Sequence, residues 1–208
     1  MADTKERILM TALHLFARDG YEAVSVSTIA GELGMTKGAL YKHYRNKRDI
    51  FDSIVERMFQ IDAERSRQYE VPEEPYEAAP MTYQDVSIAR IKEFTLAQFT
   101  FWTEDAFASA FRRMLELEQY RNAEMAELYS QCLTSGPVAY MEDIFREMTA
   151  EGLLRQTDPK QLAVAFYAPM YLLIHLSDHS IGKQEARELL NRHIEQFFRT
   201  MRITDGGE

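Results

Sequence analysis

At 208 residues, with 46% hydrophobic and 27% charged side chains, the chain is long enough for one or two domains with a real core. A single cysteine, Cys132, excludes an intramolecular disulfide and fits a reducing, cytoplasmic setting. The net charge of −9 argues against a nucleic-acid partner, but its distribution reverses that: residues 1–48 hold eight Lys/Arg against five acids, a net of +3, and the remainder carries −12.

The opening MADTKER contains no apolar leader region. Asp3, with Glu6 three residues on, has the form of a capping box for a first helix. Ile8, Leu9, Ala12, Leu13, Leu15 and Phe16 then recur at helical spacing, and Gly20 ends the run. Tyr21, Val24 and Val26 follow as the seal of a small core. Ser27 is the expected N-cap of a second helix, with Ile29, Ala30 and Leu33 on one face. Gly34 supplies the left-handed stop. Thr36 caps a third helix with Leu40 and Tyr44 inward, and small Ala30 lets the two helices approach closely. Two short helices about a tight turn form a helix-turn-helix, whose second helix enters the DNA major groove. Lys37, Lys42, Arg45, Lys47 and Arg48 fall within residues 36–48 without an acid among them, as phosphate neutralisation requires. Gly38 costs about 1 kcal/mol against alanine inside a helix. With Ala39 it gives a surface small enough to meet a groove wall or a thymine methyl.

Asn46 is expected to cap a fourth helix, with Asp49 as its reciprocal partner, and the apolar repeat from Ile50 to Ile61 carries this helix to about residue 69. Pro72, Pro75 and Pro80 impose a loop over 70–83. Helix five is read from 83–85 to 103, helix six over 104–120, and helix seven over 122–150 with a break at Gly136-Pro137. Asp158 and Pro159 start helix eight, which runs to about 177. Helix nine covers 183–202, and the tail from Thr204 is polar. No strand alternation appears. The chain is therefore read as all-α with about nine helices: a DNA-binding head over 1–48, and a body over 49–208 whose segment 49–69 is the connector. The apolar stretch 162–176 is interrupted by Pro169 and His175 and is shorter than a membrane span, so no membrane partner is expected.

The segment GMTKGALYKHYRNKRDIF, within the first fifty-odd residues, is similar to the DNA-binding signature of the TetR family of bacterial repressors. The resemblance implies a helix-turn-helix regulator that binds a duplex DNA operator as a homodimer, with helix four as the lever between head and body. Candidate DNA contacts are Ser27, Thr28, Thr36, Lys37, Gly38, Ala39, Tyr41, Lys42, His43 and Lys47. Lys37 and Tyr41 are assigned to the groove and its rim, and Thr28, Lys42, His43 and Lys47 to phosphates.

The body is rich in aromatics. Such side chains most often pack a core, yet a bundle with many Tyr and Trp can enclose a cavity, and TetR-like bodies do enclose one. A small, largely apolar or aromatic effector is expected against Trp102, Phe107, Phe111, Tyr129, Tyr140, Phe166 and Met170, with His175 offering a hydrogen bond. Helix eight is apolar nearly all round and so needs cover on every side. Together with Leu190, Ile194, Phe197, Phe198 and Met201 of helix nine it is read as the dimer interface, which the resemblance implies is a four-helix pairing. Rival readings are weaker. His175 and His179 have metal-ligand spacing but sit where a helix ends, so no metal is assigned. Cys132 has no base near it in sequence, and no catalytic constellation or cofactor loop is present, which disfavours an enzyme using the aromatic cavity as an active site. A TetR-like protein-interaction module is disfavoured by the basic recognition helix.

Overall fold

The computed structural model describes residues 3–72, 78, 80–83 and 86–202, which form helices joined by short turns. The Asp3 carboxylate accepts from the Lys5 N–H and opens α1 (Thr4–Asp19). Glu6 does not reach back to complete a capping box; its carboxylate pairs with Arg57 instead. α1 buries the six apolar residues that its spacing puts on one face, and it ends at Gly20, whose φ of +88° lies in the region glycine favours. α2 (Val26–Glu32) is capped by Ser25, not Ser27, because Ser25 Oγ accepts the Thr28 N–H at 3.1 Å. Gly34 takes the left-handed conformation expected of it, with φ of +65°. Thr36 Oγ1 accepts the Ala39 N–H at 3.2 Å and starts α3 (Lys37–Leu40).

α4 (Lys47–Gln68) follows, and Asn46 Oδ1 accepts the Asp49 N–H at 2.9 Å as a cap should. The reciprocal bond is absent: the Asp49 carboxylate takes the Arg45 N–H and its guanidinium, both at 2.9 Å. Pro75 and most of the segment 73–79 lie outside the described residues; a short 3-10 turn, Pro80–Tyr83, occupies part of the expected loop. The expected start of helix five at 83–85 falls partly on undescribed residues, and α5 itself is Ile88–Glu104. The remaining helices are α6 (Ala106–Glu118), α7 (Ala123–Leu133), α8 (Ser135–Ala150), α9 (Pro159–His179) and α10 (Lys183–Met201). The Thr204 tail is not described.

The long helix expected over 122–150 is two helices, and the break falls at Thr134 rather than at Gly136-Pro137. The cause is Pro137. It has no N–H to give Leu133, four residues back, and its ring would strike the Leu133 carbonyl in a continuous helix. The chain therefore restarts just before it, leaving Pro137 in the first turn of α8, where a missing donor costs nothing. The orphaned Leu133 carbonyl accepts from the Tyr167 hydroxyl of α9 at 2.9 Å. Gly136 makes the close turn possible, since a Cβ there would stand 1.9 Å from the Gln131 carbonyl oxygen.

The chain divides into two compact units. The first joins Met1–Asp62 to Glu104–Tyr129, and in it α1 packs along α6 while α2 rests on α1 and α3. This unit is larger than the head read over 1–48. The second joins Ala63–Thr103 to Ser130–Glu208 and is built on α9, which lies between α8 and α10. Its core is a ring cluster: Phe166 lies 5.4 Å from Phe145 and 5.1 Å from Phe197, with Phe198 5.4 Å from Phe197, all centroid to centroid. Among the described residues, no helix is long and apolar enough to cross a membrane.

Replacing Tyr167 with Phe is expected to leave the buried Leu133 carbonyl without its donor, lowering stability by about 1–3 kcal/mol. Urea denaturation with an unchanged midpoint would remove this bond from the account of the helix break.

Candidate nucleic-acid interface

The surface that the sequence marked for DNA is built on a four-residue helix. α3 is too short to persist alone. It is held from beneath by Leu40, which is fully buried, and by Tyr44, which follows one further turn. Tyr44 donates its hydroxyl to the Lys5 carbonyl at 3.3 Å, and the Lys5 ammonium lies 5.4 Å above its ring. Burial pushes the Tyr44 phenol up to about 12, so it stays a neutral donor.

With the inner side fixed, the outer side is free. Thr36, Lys37, Gly38, Tyr41, Lys42 and His43 are exposed, as are Ser27 and Thr28 of α2, and Ala39 is half-buried. Lys37 Nζ sits 5.7 Å from the Tyr41 ring centre, one helical turn on, which pre-orders two side chains at the tip. Gly38 meets no atom within 4 Å of where its Cβ would be and has no left-handed φ. The fold itself does not need glycine there, which fits a surface kept low for something outside the chain. Thr28 Oγ1 lies 2.8 Å from Ser25 Oγ, so this phosphate candidate is already tied to the helix cap.

The basic run is less free than its sequence implies. Arg45 is paired with Asp49 at 2.9 Å, and Arg48 with Asp52 at 2.6 Å and with both oxygens of Glu124 at 2.6 and 2.5 Å. Lys47 donates to the Tyr21 carbonyl at 2.8 Å, lies 4.2 Å above the Tyr21 ring, and is only 23% exposed. Among the described residues, Lys37 and Lys42 alone of the five have no carboxylate partner. The Asp49 and Asp52 pairs are readable as i,i+4 spacing. The Arg48–Glu124 pair spans 76 residues and has no local signal.

The effector candidates are distributed between the two units. Phe107, Phe111 and Tyr129 are buried in the first, with Phe107 stacked on Phe111 at 6.3 Å and the Arg57 guanidinium 4.7 Å from the Phe107 ring. Trp102, Phe166 and Met170 are buried in the second, where Tyr140 lies 6.2 Å from Phe94 and His175 Nδ1 is 2.8 Å from the Tyr171 carbonyl. The dimer candidates of α10 are placed unlike their expectation. Leu190, Ile194, Phe197 and Phe198 are buried in the chain's own core, and Met201 is half-buried. On α9 and α10 the exposed large apolar side chains are Val164, Leu172 and Leu189. His179 is exposed, and among the described residues no group of three His, Cys, Asp or Glu is placed to hold a metal. Sequence reasoning missed Arg112 and Glu118, two charged residues buried on α6.

Residues 8–54 match the family described as bacterial regulatory proteins, tetR family. The transcriptional regulator AcrR of Shigella flexneri is 41% identical over 54 residues, 26% of this chain and 25% of that one. The transcriptional repressor BepR of Brucella suis is 41% identical over 56 residues, 27% of each chain. Over whole chains the likeness is one of fold. SmeT, the repressor of a Stenotrophomonas maltophilia multidrug efflux pump, superposes with a TM-score of 0.63 at 20% identity, covering 99% of this chain and 93% of that one. A putative regulator from Saccharomonospora viridis in complex with choline gives 0.65 at 20% identity, covering 98% and 100%. The chain thus spans about a quarter of the length of the curated relatives it matches in sequence.

The occupied Lys47 ammonium generates its own prediction. Lys47→Ala should destabilise the first unit by about 1–2 kcal/mol through the lost carbonyl and ring contacts, while Lys42→Ala leaves stability unchanged. Equal denaturation midpoints for the two variants would show that the Lys47 contacts contribute nothing in solution.

Proposed function

We propose that the chain, whose residues 8–54 match the tetR family of bacterial regulatory proteins, is a DNA-binding transcriptional regulator of that family, specifically a repressor released from its operator by a small effector. The observation that carries this reading is the exposed strip Thr36–His43 standing on the buried Leu40 and Tyr44. It supplies a small, polar, positively charged helix tip, the shape and charge a major groove admits. Lys37 and Tyr41 are placed to meet base edges and the groove rim, flanked by Gly38 and Ala39. Lys42, His43, Ser27 and Thr28 are the phosphate-facing groups. Lys47, its side chain engaged, contributes through the backbone N–H groups of the α4 first turn, where a helix N-terminus favours an anion.

Two half-sites require two copies. The apolar surface assigned to this pairing is the α9 strip Val164, Ala168 and Leu172, each four residues from the next and all exposed; Leu189 of α10 is exposed as well. A central alanine permits the close approach of a paired helix. For the effector, SmeT has been solved with triclosan and the Saccharomonospora viridis regulator with choline, which supports a small-molecule site in a body of this fold. The buried Trp102, Phe166 and Met170 favour a largely apolar or aromatic effector. Such a ligand shifts the DNA equilibrium only by its differential affinity for the two states, and DNA must weaken it by the same factor.

Three measurements test the proposal. Duplex fragments selected from the host genome should bind more tightly than scrambled duplex, and Lys42→Ala should flatten the log-affinity versus log-salt slope by about one unit per protomer. No preference for any duplex would sink the regulator reading. Leu172→Glu should give a folded monomer by sedimentation, because it places a charge in the paired face, whereas Phe197→Glu should unfold the chain. A dimer that survives Leu172→Glu places the interface elsewhere. Trp102 fluorescence titrated with aromatic effectors should report weaker binding when operator is present, and equal affinity would end the release mechanism.

A further inference from the structure

We propose that Glu118 is a positioning residue for DNA reading: from the last turn of α6 it fixes the Gly20–Tyr21 turn on which the recognition unit is mounted. The inference rests on the DNA-binding reading above. Glu118 is 2% exposed and lies 97 residues from its partner, the Tyr21 N–H, which donates to Glu118 Oε1 at 2.9 Å. The approach is possible only because residue 20 is glycine. Its φ is +88°, and a Cβ there would stand 2.6 Å from Glu118 Oε1.

Tyr21 is gripped from two other sides. Its carbonyl accepts from Lys47 Nζ of α4 at 2.8 Å. Its ring packs against Phe16 of α1 at 5.0 Å and Phe51 of α4 at 5.3 Å. Tyr21 is therefore a joint with its N–H held by α6, its carbonyl by α4 and its ring by the core. α2 begins five residues later, and Thr36–His43 follows on α3.

The chemistry of Glu118 argues for more than packing. Its second oxygen, Oε2, is buried with no hydrogen-bond partner among the described residues. Desolvating a carboxylate and giving it one partner is unfavourable, and a neutral acceptor would serve one N–H at lower cost. What the carboxylate adds is a stronger, charge-assisted bond that admits one orientation of the Tyr21 peptide. Groove contacts need their side chains held to about half an ångström, while phosphate contacts tolerate slack. Loosening the joint should therefore harm specific binding more than non-specific binding.

The test uses the full-length protein with Glu118→Met, which keeps the volume and removes the acceptor, and Glu118→Gln, whose amide oxygen can accept the same bond. Amide exchange is measured without DNA. Affinity is measured for a selected operator fragment and for scrambled duplex at one salt concentration. Glu118→Met is expected to speed exchange at Tyr21 and across residues 25–44, and to lower the specific-to-non-specific ratio about tenfold; Glu118→Gln, which accepts the bond without the charge, should recover both in part. Equal loss on the two duplexes, or an unchanged ratio, would reduce Glu118 to a structural role and overturn the inference. Should the unmodified protein prefer no duplex at all, the regulator reading itself falls. Exchange then still decides the joint: in Glu118→Met it must rise at residues 25–44 beyond any rise in α8–α10, or the clamp is refuted independently.

Discussion

Everything outward-facing in the head depends on the burial of Leu40 and Tyr44. One helical turn does not hold itself in water, since nucleation fixes several dihedrals for a single hydrogen bond. Burying each of these side chains is worth about 2–3 kcal/mol, enough to replace the missing propagation. The Thr36 cap and the Tyr44–Lys5 bond then set the rotation of the turn. Because the inner anchors do the stabilising, the outer positions are released from it. Gly38 can be a poor helix former, and Lys37 and Tyr41 can pair with each other rather than with the core. A surface chosen for an external partner is affordable only on such a foundation.

What was legible in the sequence was local. Thr36, Asn46 and Asp158 were readable as caps because a cap is a relation between a side chain and an N–H two or three residues on. Gly20 and Gly34 were readable because a positive φ is a requirement of the backbone itself. The second-helix cap was misplaced by two residues because both positions are serine. The deciding fact is that Val26 already belongs to α2 and is buried, which depends on the rest of the core. The helix break near residue 136 was sensed from Gly-Pro. Its position at Thr134 follows from the carbonyl four residues before the proline, and that carbonyl is stabilised by Tyr167 of another helix.

The electrostatic reading shows where locality fails. Counting bases between residues 36 and 48 treats each as free. Folding brings Asp49, Asp52 and Glu124 to Arg45 and Arg48, and turns Lys47 inward onto a carbonyl. These exposed pairs add little stability, each at the level of about 0–1 kcal/mol. Their consequence lies in charge: a guanidinium already flanked by carboxylates releases fewer counterions from DNA than a free one. Among the five bases of residues 36–48, the charge left without a carboxylate partner is that of Lys37 and Lys42, on the exposed tip. A net charge of −9 is compatible with a nucleic-acid partner because residues 1–48 by themselves carry a net of +3.

The α9–α10 pair exposes a different limit. Periodicity says that a face is covered; it does not say by what. Leu190, Ile194 and Phe197 recur at the spacing of a buried stripe, and a partner subunit or the chain's own core satisfies that pattern equally. The chain's own core takes them here: Phe145 of α8 and Phe166 of α9 pack ring against ring with Phe197, and Leu190 and Ile194 are buried. α9 is different because it is apolar on more than one side. Phe166, Met170 and Ile174 face inward, and Val164, Ala168 and Leu172 are left outside at the same four-residue interval. α9 packs on both α8 and α10 and still leaves these apolar side chains exposed, so surplus apolarity on that helix, rather than the strongest stripe in the chain, is the feature on which the proposed pairing rests.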